Sequence, residues 1–96
     1  ILEPALSETF GAAMITVMKE AVDTVVAKGV PQEAAYEFFL GHINIELALL
    51  FGKLPGGQFS DAAKKAIEIG KPQLFKDDWK RIFEDDNIKS QIKAIT

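Results

Sequence analysis

Three polar side chains, His42, Asn44 and Glu46, stand inside the most apolar stretch of this sequence, the 14 residues from Phe38 to Phe51. On a helix His42 and Glu46 are four apart, so they share a face and lie within reach of each other. Asn44 sits about 200° round from His42 at ~100° per residue. An imidazole beside a carboxylate can transfer a proton or polarise a reacting group. In a core, each unpaired polar group costs roughly 1–3 kcal/mol, so at least two separate polar environments are expected to meet this helix. Two readings follow: structural hydrogen-bond networks across helix contacts, or the lining of a substrate pocket. A metal centre is the poorest reading, because His-x-x-x-Glu supplies only two ligands and the Glu-x-x-His pattern of carboxylate-bridged sites is missing.

The remaining chemistry-bearing residues are fewer. Glu3-Pro4 is expected to precede the first helix, where Glu3 is either a solvated or capping acid or faces a cleft at a domain boundary. Glu8 falls in a first helical turn, where an acid is favoured without any function. Lys19 and Asp23 are spaced as an i,i+4 pair. Trp79, Lys80 and Arg81 resemble an aromatic-plus-basic patch, but Asp77, Asp78, Glu84, Asp85 and Asp86 cancel its field, so no nucleic-acid site is expected. Leu54-Pro55-Gly56-Gly57-Gln58 lacks the Lys-Ser/Thr ending of a phosphate loop, and no Gly-x-Gly-x-x-Gly occurs. No nucleotide cradle is encoded in these residues.

Helices must position the candidates, since no segment alternates like a strand for long. The first helix is expected from about Leu6 to Lys28, started by Pro4 or Ser7 and stopped by Gly29 ahead of Pro31. Phe10, Met14, Val17, Ala21 and Val25 share one face, and Ile15, Met18, Val22 and Val26 widen it. The second opens at Pro31 and ends near Gly52, and from Phe38 onward it is apolar nearly all round. Helices this apolar need cover from more than one direction. Shorter helices are expected over Ala62 to Ile69, capped by Ser60 or Asp61 and stopped by Gly70 and Pro72, then Trp79 to Phe83 and Ile88 to Ile95. The predicted fold is therefore all-α: two long packed helices followed by three shorter ones, in a bundle expected to be dimeric.

Composition bounds the rest. The chain has 96 residues, 48% apolar, with a net charge of −3, and a mean hydropathy of +0.08 that is high for a solitary small domain. Its apolar excess points to a surface meant for a partner. The absence of cysteine removes disulfides, thiolate zinc sites and cysteine nucleophiles, and a single histidine removes multi-histidine metal cages. The Phe38–Phe51 stretch is too short for a membrane span, which needs ~20 apolar residues, and no signal peptide opens the chain. A cytoplasmic location is the expectation. Residue 1 is Ile, so the chain is expected to be a piece of something longer.

Helix one's ending, Lys19-Glu20-Ala21-Val22 through Val25-Val26-Ala27-Lys28-Gly29-Val30-Pro31, and the next opening, Pro31-Gln32-Glu33-Ala34-Ala35 before Phe38-Phe39-Leu40-Gly41-His42-Ile43-Asn44, carry a resemblance. This pattern resembles the C-terminal helical domain of 6-phosphogluconate-dehydrogenase-like and β-hydroxyacid-dehydrogenase-like proteins. Down to Lys71-Pro72-Gln73-Leu74-Phe75 and Trp79, the chain looks most like the phosphogluconate dehydrogenase (decarboxylating) C-terminal family. The resemblance implies a dimerisation and substrate domain following a Rossmann domain, in a parent that binds NAD or NADP and transfers a hydride to or from a hydroxy-acid-like substrate. It implies no cofactor held by these residues themselves, and a chain that is catalytically inactive alone. The family's interdomain helix carries Lys-x-x-x-Asn; here Lys19 is followed by Asp23, far too deep in the helix to match, so no residue inherits the lysine's role.

His42 and Glu46 are thus the catalytic candidates on physical grounds, and Asn44 and Glu3 the substrate-binding ones. The alternative, from a different class, is a non-catalytic helical interaction module in which His42, Asn44 and Glu46 set the register of an interface.

Overall fold

The computed structural model describes residues 2–96, and among them it is all helical. The first helix, α1, is composite: an α-helical start at Leu2–Pro4, a π-helical stretch at Ala5–Ala12, and an α-helical body at Ala13–Ala27. It is followed by α2 (Gln32–Leu50), α3 (Asp61–Leu74), a 3₁₀ turn (Trp79–Phe83) and α4 (Asp85–Ile95). The described residues divide into two compact units, one of residues 2–21 with 76–96, the other of residues 22–75.

In the first unit the π-helical stretch of α1 packs against the 3₁₀ turn and α4. Ala5 and Ile88 are its buried residues. Phe10 stacks on Trp79 at 5.5 Å between ring centroids and meets Phe83 at 6.5 Å; aromatic pairs of this kind add about 0.5–1.5 kcal/mol beyond the area they bury. Gln91 then ties the three elements together. Thr9 Oγ1 donates to Gln91 Oε1 at 2.6 Å, while Gln91 Nε2 donates to the Ile82 carbonyl at 2.7 Å and to Asn87 Oδ1 at 2.8 Å. Gly11 fits the wide turn because a Cβ there would stand 3.0 Å from the Leu6 carbonyl oxygen.

The second unit has a thinner interior, in which Val22 and Ala35 are buried. Tyr36 ties α2 to the end of α1, its hydroxyl donating to Asp23 Oδ1 at 2.7 Å. Gly52 ends α2 with φ +73°. Lys53 N–H donates to the Ala48 carbonyl and Gly52 N–H to the Leu49 carbonyl, the paired bonds of a Schellman ending, which needs a left-handed residue at this position. Ser60 caps α3, as its sequence position predicts, with Oγ accepting from Ala63 N–H at 3.2 Å.

Several boundaries differ from the sequence reading. The first helix begins before Leu6, so Glu3 and Pro4 lie within it; Pro4 is tolerated because first-turn N–H groups have no helical partner. Gly70 and Pro72 do not stop α3, which runs to Leu74. Pro72 forfeits one bond near the helix end, and Phe75 N–H still closes the last turn on the Lys71 carbonyl at 2.9 Å. The last helix starts at Asp85, its N-cap is Glu84, and the acids stand inside its first turn.

Candidate functional site on α2

The α2 helix carries three of the four candidate residues, and its sequence explains why they face outward. Its apolar side chains run all round the cylinder, but the second unit offers few elements to cover them. Phe38 is 68% exposed, Leu50 69% and Phe51 71%, with Leu40, Ile45 and Leu47 about half exposed or more. At ~100° per residue Phe38 and Ile45 fall on one stripe and Leu40 and Leu47 on the opposite one. One contains Phe38, His42, Ile45 and Glu46; the other contains Leu40, Asn44 and Leu47.

The structure brings His42 and Glu46 onto one stripe and sets Asn44 on the other, as the spacing predicts. All three are exposed. Within this chain no core encloses them. The physical reason is that α2 has solvent where a core helix would have neighbours. Each polar group therefore stands in an exposed apolar field with no desolvation cost in this chain.

His42 is nonetheless fixed. Its Nδ1 lies 2.9 Å from the Phe38 carbonyl oxygen, one helical turn back, and its ring lies 4.2 Å from that of Phe38, centroid to centroid. Glu46 follows one turn on, and among the described residues no hydrogen bond joins the two.

Glu3 belongs to the other unit. It is exposed, and its carbonyl accepts from Ser7 Oγ at 2.8 Å. Among the described residues no cluster of three or more His, Cys, Asp or Glu could hold a metal ion. No described helix is long and apolar enough to cross a membrane.

One feature lay beyond the sequence reading. The 3₁₀ turn and α4 form an open groove of about 370 Å³ lined by Arg81, Glu84, Asp86, Asn87 and Ser90. Its only advance signal was the i,i+4 spacing of Asn87 and Gln91, which gives a hydrogen bond along α4.

A long two-stripe helix following a composite first helix defines an all-α domain. Residues 1–96 match the phosphogluconate dehydrogenase (decarboxylating) C-term family, and the chain belongs to it. D-apionate oxidoisomerase of Cupriavidus necator is 52% identical to it over 96 residues, covering 100% of this chain and 34% of the relative. The protein of the same name from Rhizobium rhizogenes is 50% identical over the same shares. From Blautia hydrogenotrophica it is 41% identical, covering 98% of this chain and 33% of the relative. The chain thus spans about a third of the length of these curated relatives. Among solved structures, a semialdehyde dehydrogenase NAD-binding protein from Cupriavidus necator, in complex with calcium and NAD, matches with a TM-score of 0.95 and 53% identity. That match covers 99% of this chain and 34% of the other.

Proposed function

We propose that this chain is the helical dimerisation and substrate-cleft domain of an NAD-dependent oxidoreductase that acts on a branched hydroxy acid of the D-apionate kind. The observation that carries this reading is the 52% identity with D-apionate oxidoisomerase along the whole chain. The TM-score of 0.95 to a protein bound to NAD supports the cofactor choice. The nucleotide would be held by a Rossmann domain upstream in the parent, and these residues alone would be inactive.

The two stripes of α2 support the division of labour. One would pack on a second copy and the other would face the cleft beside the nucleotide-binding domain. A two-fold contact through one stripe buries two apolar side chains from each copy. At roughly 1.5–3 kcal/mol for full burial, and given exposures of about 60%, this yields about 4–7 kcal/mol. Association itself costs about 4–15 kcal/mol. One stripe is therefore marginal, and further apolar surface must contribute. In the cleft, the stripe that carries His42 and Glu46 supplies proton-transfer or polarising groups, and Asn44, on the opposite stripe, belongs to the contact with the second copy.

The test is the full-length protein, incubated with NAD and D-apionate while nicotinamide reduction is followed by absorbance and the mass by sedimentation velocity. NAD reduction by a dimer is expected. Absence of NAD-dependent turnover would remove the catalytic reading, and a monomer at micromolar concentration would remove the dimer.

A further inference from the structure

We infer that His42 acts as a proton acceptor through Nε2, toward a substrate hydroxyl, with Glu46 as charge partner of the resulting imidazolium; this rests on the reading of α2 as a cleft-lining helix. The proposed function leaves two roles open for His42, and its hydrogen bond distinguishes them. Nδ1 lies 2.9 Å from the Phe38 carbonyl oxygen. A carbonyl oxygen can only accept, so the hydrogen in that bond belongs to Nδ1. A neutral imidazole has one N–H, and Nε2 therefore holds a bare lone pair. Neutral His42 cannot donate from Nε2 to polarise a carbonyl. It can accept from a hydroxyl.

The surroundings fit that assignment. The Phe38 ring, 4.2 Å away, braces the imidazole from one side, and His42 remains exposed, so Nε2 is open to whatever covers the stripe. Glu46, the ionisable group that shares the stripe, lies one turn further on. A carboxylate and a bare lone pair are both acceptors, which accounts for the lack of a bond between them. Once Nε2 takes a proton it becomes a donor, and Glu46 is then within the i,i+4 reach of an ion pair.

The step balances as an alcohol oxidation. The substrate O–H bond breaks and its proton goes to Nε2. The carbinol C–H bond breaks, its hydrogen and bonding pair pass together to the nicotinamide ring of NAD, which is reduced, and the carbinol carbon becomes a carbonyl. His42 is thus the base of the oxidative direction and, once protonated, the acid of the reverse.

The experiment uses the full-length protein. Long-range ¹H–¹⁵N correlation of the ¹⁵N-labelled protein, with His42 assigned by its absence in His42→Asn, should show Nδ1 protonated and Nε2 bare in the neutral ring; the opposite tautomer overturns the inference. Two substitutions then separate the nitrogens. His42→Asn places an amide near Nδ1 and keeps a donor for the Phe38 carbonyl. His42→Gln places an amide near Nε2 that cannot take up a proton. Both should lose about 10²–10⁴-fold in kcat with little change in KM, the usual range for a lost general base. Rescue of kcat by Gln would mean a hydrogen-bonding role and would overturn proton transfer. Glu46→Gln should lower kcat while leaving the tautomer unchanged; an unaltered kcat removes Glu46. If the wild-type protein turns over and His42→Asn retains its kcat, this inference alone fails. If the wild-type protein reduces no NAD with a hydroxy acid, the proposed function fails with it.

Discussion

Replacing Gln91 by methionine tests whether one amide holds the first unit together. The substitution keeps the length of the side chain and removes its polar atoms. Three hydrogen bonds disappear, to Thr9 at 2.6 Å, to the Ile82 carbonyl at 2.7 Å and to Asn87 at 2.8 Å. A net hydrogen bond contributes about 0.5–1.5 kcal/mol, and Gln91 is half-buried, so water re-solvates part of what is lost. The expected cost is about 2–3 kcal/mol. Because the network links the π-helical stretch, the 3₁₀ turn and α4, the loss should be local. Hydrogen-exchange mass spectrometry of the full-length protein reads it as about 30–150-fold faster exchange in peptides from 76–96 and 5–12, with α2 peptides unchanged. Exchange faster by less than about threefold in those peptides would show that the aromatic cluster around Phe10 holds the unit without the amide. Uniform acceleration along the chain would refute the two-unit description.

One further outcome follows from local geometry. Gly52→Ala places a Cβ at φ +73° and should cost about 1 kcal/mol, read as fraying of the last turn of α2 by amide exchange; no change would mean that the Schellman bonds do not hold that end.

What was legible in the sequence was what neighbouring residues decide among themselves. Ser60 announces a cap because its hydroxyl needs only the N–H three residues on. Gly29 and Gly52 announce helix ends because the left-handed region is open to glycine without strain. The opposite orientations of His42 and Asn44 follow from the pitch of a helix and nothing else. The π-helical stretch was not legible, because its partners are remote: Thr9 meets Gln91 across 82 positions, and Phe10 meets Trp79 and Phe83. Glycine and proline punctuation also misled where it acted near an end. Pro72 cost α3 a single bond, less than the two further residues of helix regained.

The same distinction bears on the candidate site. An apolar run interrupted by His, Asn and Glu reads from the sequence as a buried helix with satisfied polar groups, and that reading presumes enough chain to bury it. The first unit meets that condition, since the aromatic ring of Phe10, the amide of Gln91 and buried Ile88 converge within it. The second does not: α2 holds apolar stripes on opposite sides, so a single contact cannot cover it. A helix of this kind is stable in water only when two different surfaces reach it, and a polar group placed on each stripe marks where those surfaces must be complementary. His42 then has a reason to donate to its own backbone through Nδ1. With that nitrogen satisfied inside the helix, the surface that covers the stripe has to supply a partner for Nε2 alone, and that partner must be a donor.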